Sequence, residues 1–436
     1  MEVLRLTGGW QLSPGLYENL AAFLRRDMAI SWGNAMTLIK LGRLYTRNAI
    51  RNLALLPNHG DISDLDFGAA PVLVLGAGPS LDGLLRGLLD RFGAAAGNPQ
   101  KRPFRIVCAD TCIPSLGEWG IEPDLTVILE SQHWNLGDFV GGRDRGIPAA
   151  MDLSALPAGG RVLGGPLFLF ATPWTELRLF SRLEGAGLFP PVLSPLGSVG
   201  LSAAAIALKA GSGRVLTGGI DFSFTLDSYH ARSSPGHLSR LAGGNRFRSL
   251  LNAGAAFRKG AFACLSKNGL PVRSDPAMRG YRDLFEQEFS GEERLRDISG
   301  PGLPLGVKSL SADEAFAVLS REDPGRSQNT EERGGPSPYD TLKELRLKAF
   351  IQGERERLLR LRGFLSGAAA AAGGELEGLL DECDYLWANF PECAGAGGKR
   401  PQIDGISFLK RVRAEIDPFL KLWELSLFSL AGKRAF

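Results

Sequence analysis

The sequence predicts an α/β protein: a central region with a mostly parallel sheet, flanked by helical regions at both ends. Three observations predict it. Short apolar runs alternate with helical patterns from Gly68 to about Gly300, the pattern of strands covered on both faces by helices. A glycine turn, Gly76-Ala77-Gly78-Pro79-Ser80-Leu81, separates the run Pro71-Val72-Leu73-Val74-Leu75 from a leucine-spaced segment reaching Phe92. Outside this stretch the apolar residues recur at helical spacing instead.

Residues 1–60 form an N-terminal helical region. Leu16, Leu20, Phe23 and Leu24 repeat at helical spacing, as do Leu38, Leu41, Tyr45 and Ala49, until Asn58-His59-Gly60-Asp61 breaks the pattern. Residues 61–320 form the α/β domain, with strands expected at Val72–Leu75, Arg105–Ala109, Leu125–Leu129, Leu167–Ala171 and Arg214–Thr217. The small-residue run from Ser198 to Ala210 predicts a helix able to pack closely on the sheet. Residues 321–338 are polar, rich in Gly and Pro, without apolar periodicity, and predict a linker. Residues 339–436 follow as a C-terminal helical domain, with Leu342, Leu345, Ala349, Leu358 and Leu361 expected on one buried stripe. A bundle is the plain expectation there, with a homo-oligomer or partner-docking contact beside it.

A chain of 436 residues, 44% of them hydrophobic, is long enough for two or three domains with full cores. A formal net charge of +3 gives no electrostatic reason to expect nucleic acid. No apolar run is long enough to span a membrane, and Met1-Glu2-Val3-Leu4-Arg5 lacks the layout of a signal peptide. Five cysteines without a Cys-x-x-Cys pair read as reduced thiols of a cytoplasmic protein. Four histidines leave little for a histidine-rich metal site, and no metal is expected.

The residues able to carry chemistry fall at the carboxyl ends of the expected strands, where α/β sheets bind ligands. The glycine turn matches two-thirds of a dinucleotide fingerprint, with Leu81 in place of the third glycine. Pro79 stands where a helix start tolerates it. Ser80 either caps the helix or donates to a phosphate, and Asp82 suits the helix dipole but competes with a bound phosphate. The turn thus reads as an anion cradle or as simple backbone packing. Asp110, with Thr111 after it, stands at the end of the second strand and reads as a ribose ligand or a cap. Glu130 and Gln132 leave the third strand on one side. Ser194, Gly197 and Ser198 precede a helix N-terminus, an anion site or a capped start. Asp221 follows a strand and His230 lies nine residues on; a histidine near a carboxylate is a candidate general base, or a surface residue. The stretch 231–259 carries Arg232, Arg240, Arg246, Arg248, Arg258 and Lys259, a solvated basic surface or a loop that closes on an anionic donor.

Taken in order, these segments resemble the motility-associated factors (Maf proteins), flagellin glycosyltransferases that share an MptE-like domain with archaeal 6-hydroxymethylpterin diphosphokinases. The resemblance runs from about residue 30 to 320. It rests on Trp32-Gly33-Asn34, Asn48-Ala49-Ile50-Arg51-Asn52-Leu53, the Gly76–Leu81 turn, Ala109-Asp110-Thr111, Gly120-Ile121-Glu122-Pro123-Asp124, Gly197-Ser198-Val199, Gly219-Ile220-Asp221-Phe222-Ser223-Phe224 and His230-Ala231. Glu130 replaces the usual Asp of the family, and Phe222 a Leu. The resemblance implies a Rossmann-like, sialyltransferase-like core that needs no cofactor. It implies transfer of a nonulosonic acid from a CMP-activated donor to Ser or Thr hydroxyls of flagellin. Gly76, Gly78, Pro79 and Ser80 would line the CMP site, with Asp110, Thr111, Gln132, Ser194, Gly197 and Ser198 around the donor. His230 would be the base, with Asp221 and Glu130 next. The alternatives are a Mg-ATP pyrophosphokinase, with Asp110, Glu130 and Asp221 near the metal, and a non-catalytic module that binds a nucleotide or flagellin.

Overall fold

The computed structural model describes residues 8–225, 228–247, 260–321, 339–367, 374–394 and 405–431. The expected linker, apart from Arg321, and the basic residues Arg248, Arg258 and Lys259 lie outside them. The chain divides into two compact units. One comprises Met1–Ala54, Pro173–Phe189 and Glu344–Phe436; the other comprises Leu55–Thr172 and Pro190–Lys343.

The second unit is the α/β domain. Its main sheet has nine strands, all pairing in parallel: β1 (Gly60–Asp61), β2 (Val72–Leu75), β3 (Arg105–Ala109), β4 (Leu125–Ile128), β5 (Ile147–Asp152), β6 (Gly164–Phe170), β7 (Val215–Gly218), β10 (Leu295–Ile298) and β11 (Ser309–Leu310). Two further strands, β8 (Phe262–Leu265) and β9 (Pro271–Ser274), form an antiparallel hairpin. The order across the main sheet is β1-β6-β5-β4-β3-β2-β7-β10-β11. From β2 the chain works outward through β3 to β6. It then returns to the other side of β2 as β7. The order therefore reverses between β2 and β7, and the crevice at such a reversal is where α/β sheets hold ligands.

The residues of β2 are wholly buried and divide between two cores. Val72 and Val74 join Val107, Val127 and the helix Val199–Ala210 on one face. Leu73 and Leu75 join Ile106, Cys108, Leu216 and the helix Leu81–Phe92 on the other. Strict alternation on an all-apolar strand is what a parallel sheet covered on both faces requires. Leu81, Leu84, Leu85 and Leu88 place the helix Leu81–Phe92 against the sheet at the spacing of one helical face. At the far end of the strands, Asp124 pairs with the fully buried Arg102 and with Arg105, and accepts the Ile106 N–H. The Pro123-Asp124 turn therefore serves the entry into β3 and β4.

The first unit is helical. Its long helices are Pro14–Asn52, Thr341–Leu365, which begins just before the unit, and Ile406–Ala431, with Arg178–Gly185 contributed from between β6 and β7. The buried positions of Thr341–Leu365 are Leu347, Ile351, Glu354, Leu358 and Leu361. Leu342 and Leu345 are more than half exposed and Ala349 is exposed, so only the second half of the expected stripe is buried. The buried face runs through Leu347, Ile351 and Glu354 to Leu358 and Leu361, and Leu342, Leu345 and Ala349 lie off it. Glu354 stands in the stripe as a buried carboxylate, held by Arg182 Nε and Nη2 at 2.7 and 3.0 Å and by Tyr385 Oη at 3.3 Å. No helix among the described residues is long and apolar enough to cross a membrane.

Candidate functional site

The glycine turn follows β2 and meets the loop after β7 backbone to backbone. The Gly76 N–H donates to Gly218 O at 2.9 Å and the Gly78 N–H to Gly219 O at 2.8 Å. A Cβ on Gly76 would stand 2.6 Å from Gly219 O, and one on Gly78 would run into Asp221 and Gly219 O. Gly219 has a φ of +72°, and a side chain there would overlap Gly76 O. The glycines therefore serve the mutual approach of two loops. The N–H groups of Gly76 and Gly78 point into the protein, where a ligand cradle would have them free.

Asp221 closes this junction. One carboxylate oxygen accepts the Ser80 N–H at 2.8 Å and the other accepts the Ser80 hydroxyl at 2.7 Å. It thus occupies the anion position at the start of the helix Leu81–Phe92, where partial positive charge gathers. Burial raises its pKa, and the Ser80 bonds and the nearby Lys267 charge act the other way. The Asp221 carbonyl accepts the Leu303 N–H, and Gly302 is packed against it. Next to it, Phe222 adopts a φ of +47°, a strained conformation for a bulky residue. The β8–β9 hairpin holds it there: Ser274 donates its hydroxyl to Phe222 O, and Phe224 and Arg273 exchange backbone bonds.

His230 lies over the glycine turn. Its Nδ1 is 3.2 Å from Ala77 O, which also accepts the Ala231 N–H at 3.0 Å, and the Arg232 N–H reaches Asp82. A carbonyl only accepts, so Nδ1 carries the proton and Nε2 keeps its lone pair. Burial lowers the pKa, the Ala77 bond opposes that, and the Arg240 and His237 charges add to it. The imidazole is therefore neutral at pH 7. His230 makes no bond to Asp221, whose two oxygens are taken by Ser80. The expected pairing of the two is replaced by a pairing of each with the glycine turn.

One strand over, β3 is in register with β2, Leu75 opposite Cys108. Asp110 at its end is buried. One oxygen accepts the Thr111 N–H at 2.9 Å, and the other has no partner among the described residues. Its pKa stands well above the usual carboxylate range, first through burial and then through the charge of Asp138. Burial and Asp138 also raise Glu130, which is half-buried past β4, with Gln132 beyond it. Two residues that the motifs did not single out join this cluster. Asp138, in the turn His133–Phe139, accepts from Asn135 Nδ2 at 3.1 Å. Tyr281, in the helix Pro276–Phe289, is raised by burial and by the charge of Glu130. Its ring lies 3.0 Å from where a Gly197 Cβ would be, and 6.4 Å from the Phe222 ring.

Ser194 and Gly197 are exposed, and Ser198, at the N-cap of Val199–Ala210, makes no side-chain cap bond. Among the described residues no group of three acidic, histidine or cysteine side chains could hold a metal ion. The carboxyl edge thus offers a neutral imidazole on the glycine turn and, beside it, a set of carboxyl groups with raised pKa values. Together they can accept a proton and bind hydroxyl groups.

Residues 47–227 match the family model described as 6-hydroxymethylpterin diphosphokinase MptE-like. An uncharacterized protein of Treponema pallidum (strain Nichols) is 29% identical over 439 aligned positions, covering 97% of this chain and 74% of its own length. Among solved structures, the MAf glycosyltransferase from Magnetospirillum magneticum AMB-1 shares the fold with a TM-score of 0.50 at 13% identity, covering 90% of this chain. The chain spans 61% of that structure's length. The matched segment contains β1 to β7, the glycine turn, Asp110, Glu130 and Asp221. The resemblance carried by those motifs is borne out as a likeness: residues 47–227 match the MptE-like family model.

Proposed function

We propose that the protein is a glycosyltransferase that moves a nonulosonic acid of the pseudaminic or legionaminic type from a CMP-activated donor to Ser or Thr hydroxyls of flagellin. The observation that carries the reading is His230, a neutral imidazole fixed by Nδ1 to Ala77 O with Nε2 left as a base. The fold shared with a MAf glycosyltransferase supports it. In this reading Nε2 takes the proton of the acceptor hydroxyl. The hydroxyl oxygen forms the new bond to the anomeric carbon, and the bond to the CMP phosphate breaks with its electron pair on the phosphate. Asp221 is a positioning residue, since Ser80 takes both of its oxygens. Asp110, Thr111, Glu130 and Gln132 face the hydroxyls of the donor. Its phosphate is assigned to Ser194, Gly197 and Ser198, because the Gly76, Gly78 and Ser80 N–H groups are already bonded. Gly76, Gly78, Pro79 and Ser80 shape the donor site through the junction they form. The reading requires no cofactor and places the reaction in the cytoplasm. The C-terminal helices are the proposed contact of a homo-oligomer.

A Mg-ATP pyrophosphokinase is the second reading, favoured by the carboxyl groups of Asp110, Glu130 and Asp138 and by the description of the matching family. Those carboxyls do not form a metal-holding group among the described residues. Thermal-shift titration separates the readings. Stabilisation by CMP or a CMP-sialic acid analogue without metal supports the transferase. A shift only with ATP and Mg²⁺ overturns it. No shift with either favours a non-catalytic module.

A further inference from the structure

The opposite, amino edge of the same sheet holds a cavity of about 600 Å³ where the chain enters β2, β7 and β10. Four arginines line it: Arg214, Arg294, Arg296 and Arg321, with Glu293 the one acidic residue in the lining. Arg294 is committed to the fold. Its Nη1 and Nη2 donate to Gly211 O and Leu208 O at 2.7 and 3.1 Å, and its Nε is paired with Glu292. It thereby closes the carboxyl end of the helix Val199–Ala210.

The other three are not so engaged. Arg214 donates one bond, to Glu293 O, and Arg296 one, to Leu295 O. The Arg321 N–H donates to Val318 O, its guanidinium makes no bond among the described residues, and no carboxylate among them lies within ion-pair distance of any of the three. The walls are tight backbone: a Cβ on Gly213 would run into the carbonyls of Ala69 and Ala70. Three guanidiniums around one concave space, with one opposing carboxylate, repel each other and are relieved by an anion. Guanidinium forks match phosphate oxygens two at a time, and the volume suits a nucleotide-sized ligand. The four residues of β2 put this cavity roughly 13 Å from the crevice at the carboxyl edge, at about 3.3 Å per residue.

We propose that this cavity is a second ligand site, for a small polyanion carrying two or more phosphates, distinct from the carboxyl-edge site. The test is calorimetric titration of the full-length protein with tripolyphosphate, with CTP, and with citrate as a polyanion that has carboxylates and no phosphate. Tripolyphosphate is expected to bind one per chain and to weaken steeply as salt rises. In Arg214→Gln/Arg296→Gln the affinity is expected to fall about tenfold or more, as loss of charge-assisted bonds predicts, with the melting temperature unchanged. In His230→Ala it is expected to stay at the wild-type value. CTP binding tighter than tripolyphosphate, and equally sensitive to the arginine substitutions, would identify a nucleotide as the natural form. Three results overturn the proposal: no binding at low salt, binding that the arginine substitutions leave intact, or citrate binding as well as tripolyphosphate.

Discussion

Ser80 gives both of its donors to Asp221, the N–H to one carboxylate oxygen at 2.8 Å and the hydroxyl to the other at 2.7 Å. This pair ties the loop after β2 to the loop after β7 across the point where the sheet reverses its order. Asp221→Asn keeps the shape but removes the charge at the helix start. It is expected to cost about 2–3 kcal/mol, the combined scale of charge-assisted bonds and a helix-terminus charge. Ser80→Ala leaves the backbone bond and is expected to cost about 1 kcal/mol. Urea unfolding of the two variants checks the ranking. If Asp221→Asn is as stable as the wild type, the junction is not held by this pair.

The same junction predicts the effect of adding a single carbon. Gly78→Ala drives a methyl group into Asp221 and Gly219 O, and Gly219→Ala imposes a φ of +72° as well as a clash with Gly76 O. Each is expected to cost about 2–4 kcal/mol, from overpacking together with backbone strain. Gly83→Ala, in the adjacent helix with nothing within 4 Å of the added carbon, is expected to be neutral or stabilising. Melting temperatures of the three variants make the comparison.

The strands around this junction were legible in the sequence because each is a short apolar run ended by glycine or a polar turn, and that pattern is local. Its partner was not. Gly76 and Gly78 announce that something approaches the backbone closely, but a ligand and a distant loop leave the same mark. Here the approach is by a loop 141 residues farther on, counted from Ser80 to Asp221. Asp138 and Tyr281 went unnoticed for a related reason: one lies in an irregular turn and the other in an ordinary amphipathic helix, and only the fold brings them toward Glu130. In the helical unit, Glu354 concealed the first half of the buried stripe of its own helix, Leu347 and Ile351, while Leu358 and Leu361 were legible. A charge inside an apolar repeat reads as a surface position until Arg182, from far along the chain, is seen to neutralise it.

Asp110 makes a prediction with a definite sign. Burial and the Asp138 charge place its folded-state pKa well above the unfolded value, which is about 3.9. Between those two values the folded protein holds a proton that the unfolded chain releases. The contribution of Asp110 is fully present below the unfolded pKa and is lost as pH rises through the folded one. Asp110→Asn removes that titration. The variant is expected to melt higher than the wild type at pH 8, with the gap closing toward pH 4. A gap independent of pH would show that Asp110 is not buried as an acid.

His230 titrates the other way. Its folded-state pKa is depressed by burial, so the free base survives below the usual value of about 6.5. Its contribution to stability is therefore lost as pH falls through that region. Under the transferase reading the acid limb of the pH–rate profile lies below pH 6.5, and His230→Ala abolishes transfer while CMP still binds. His230→Gln can keep a bond to Ala77 O but cannot accept the proton, so it is expected to retain binding and remain inactive. Wild-type turnover in either variant would remove His230 from the mechanism.

Lys267 and Asp297 supply a test that does not depend on the reaction. Lys267 Nζ is 2.6 Å from an Asp297 oxygen and 2.9 Å from Ile298 O, and Thr217 donates to the other Asp297 oxygen at 3.1 Å. Both side chains are almost wholly buried, 7% and 3% exposed, and the ammonium also holds down the pKa of Asp221. Lys267→Met leaves Asp297 charged and unpaired in the interior and is expected to cost about 3–5 kcal/mol, the scale for breaking a buried pair. It also removes the group that favours ionised Asp221, so the Asp221 pKa rises further in the variant. Lys267→Met with Asp297→Asn leaves no charge without a partner at the pair and is expected to recover most of the loss. The single and double variants, measured by urea unfolding at pH 5 and pH 8, separate the two effects. Recovery in the double variant at both pH values isolates the ion pair. A residual loss that grows from pH 5 to pH 8 isolates the coupling to Asp221.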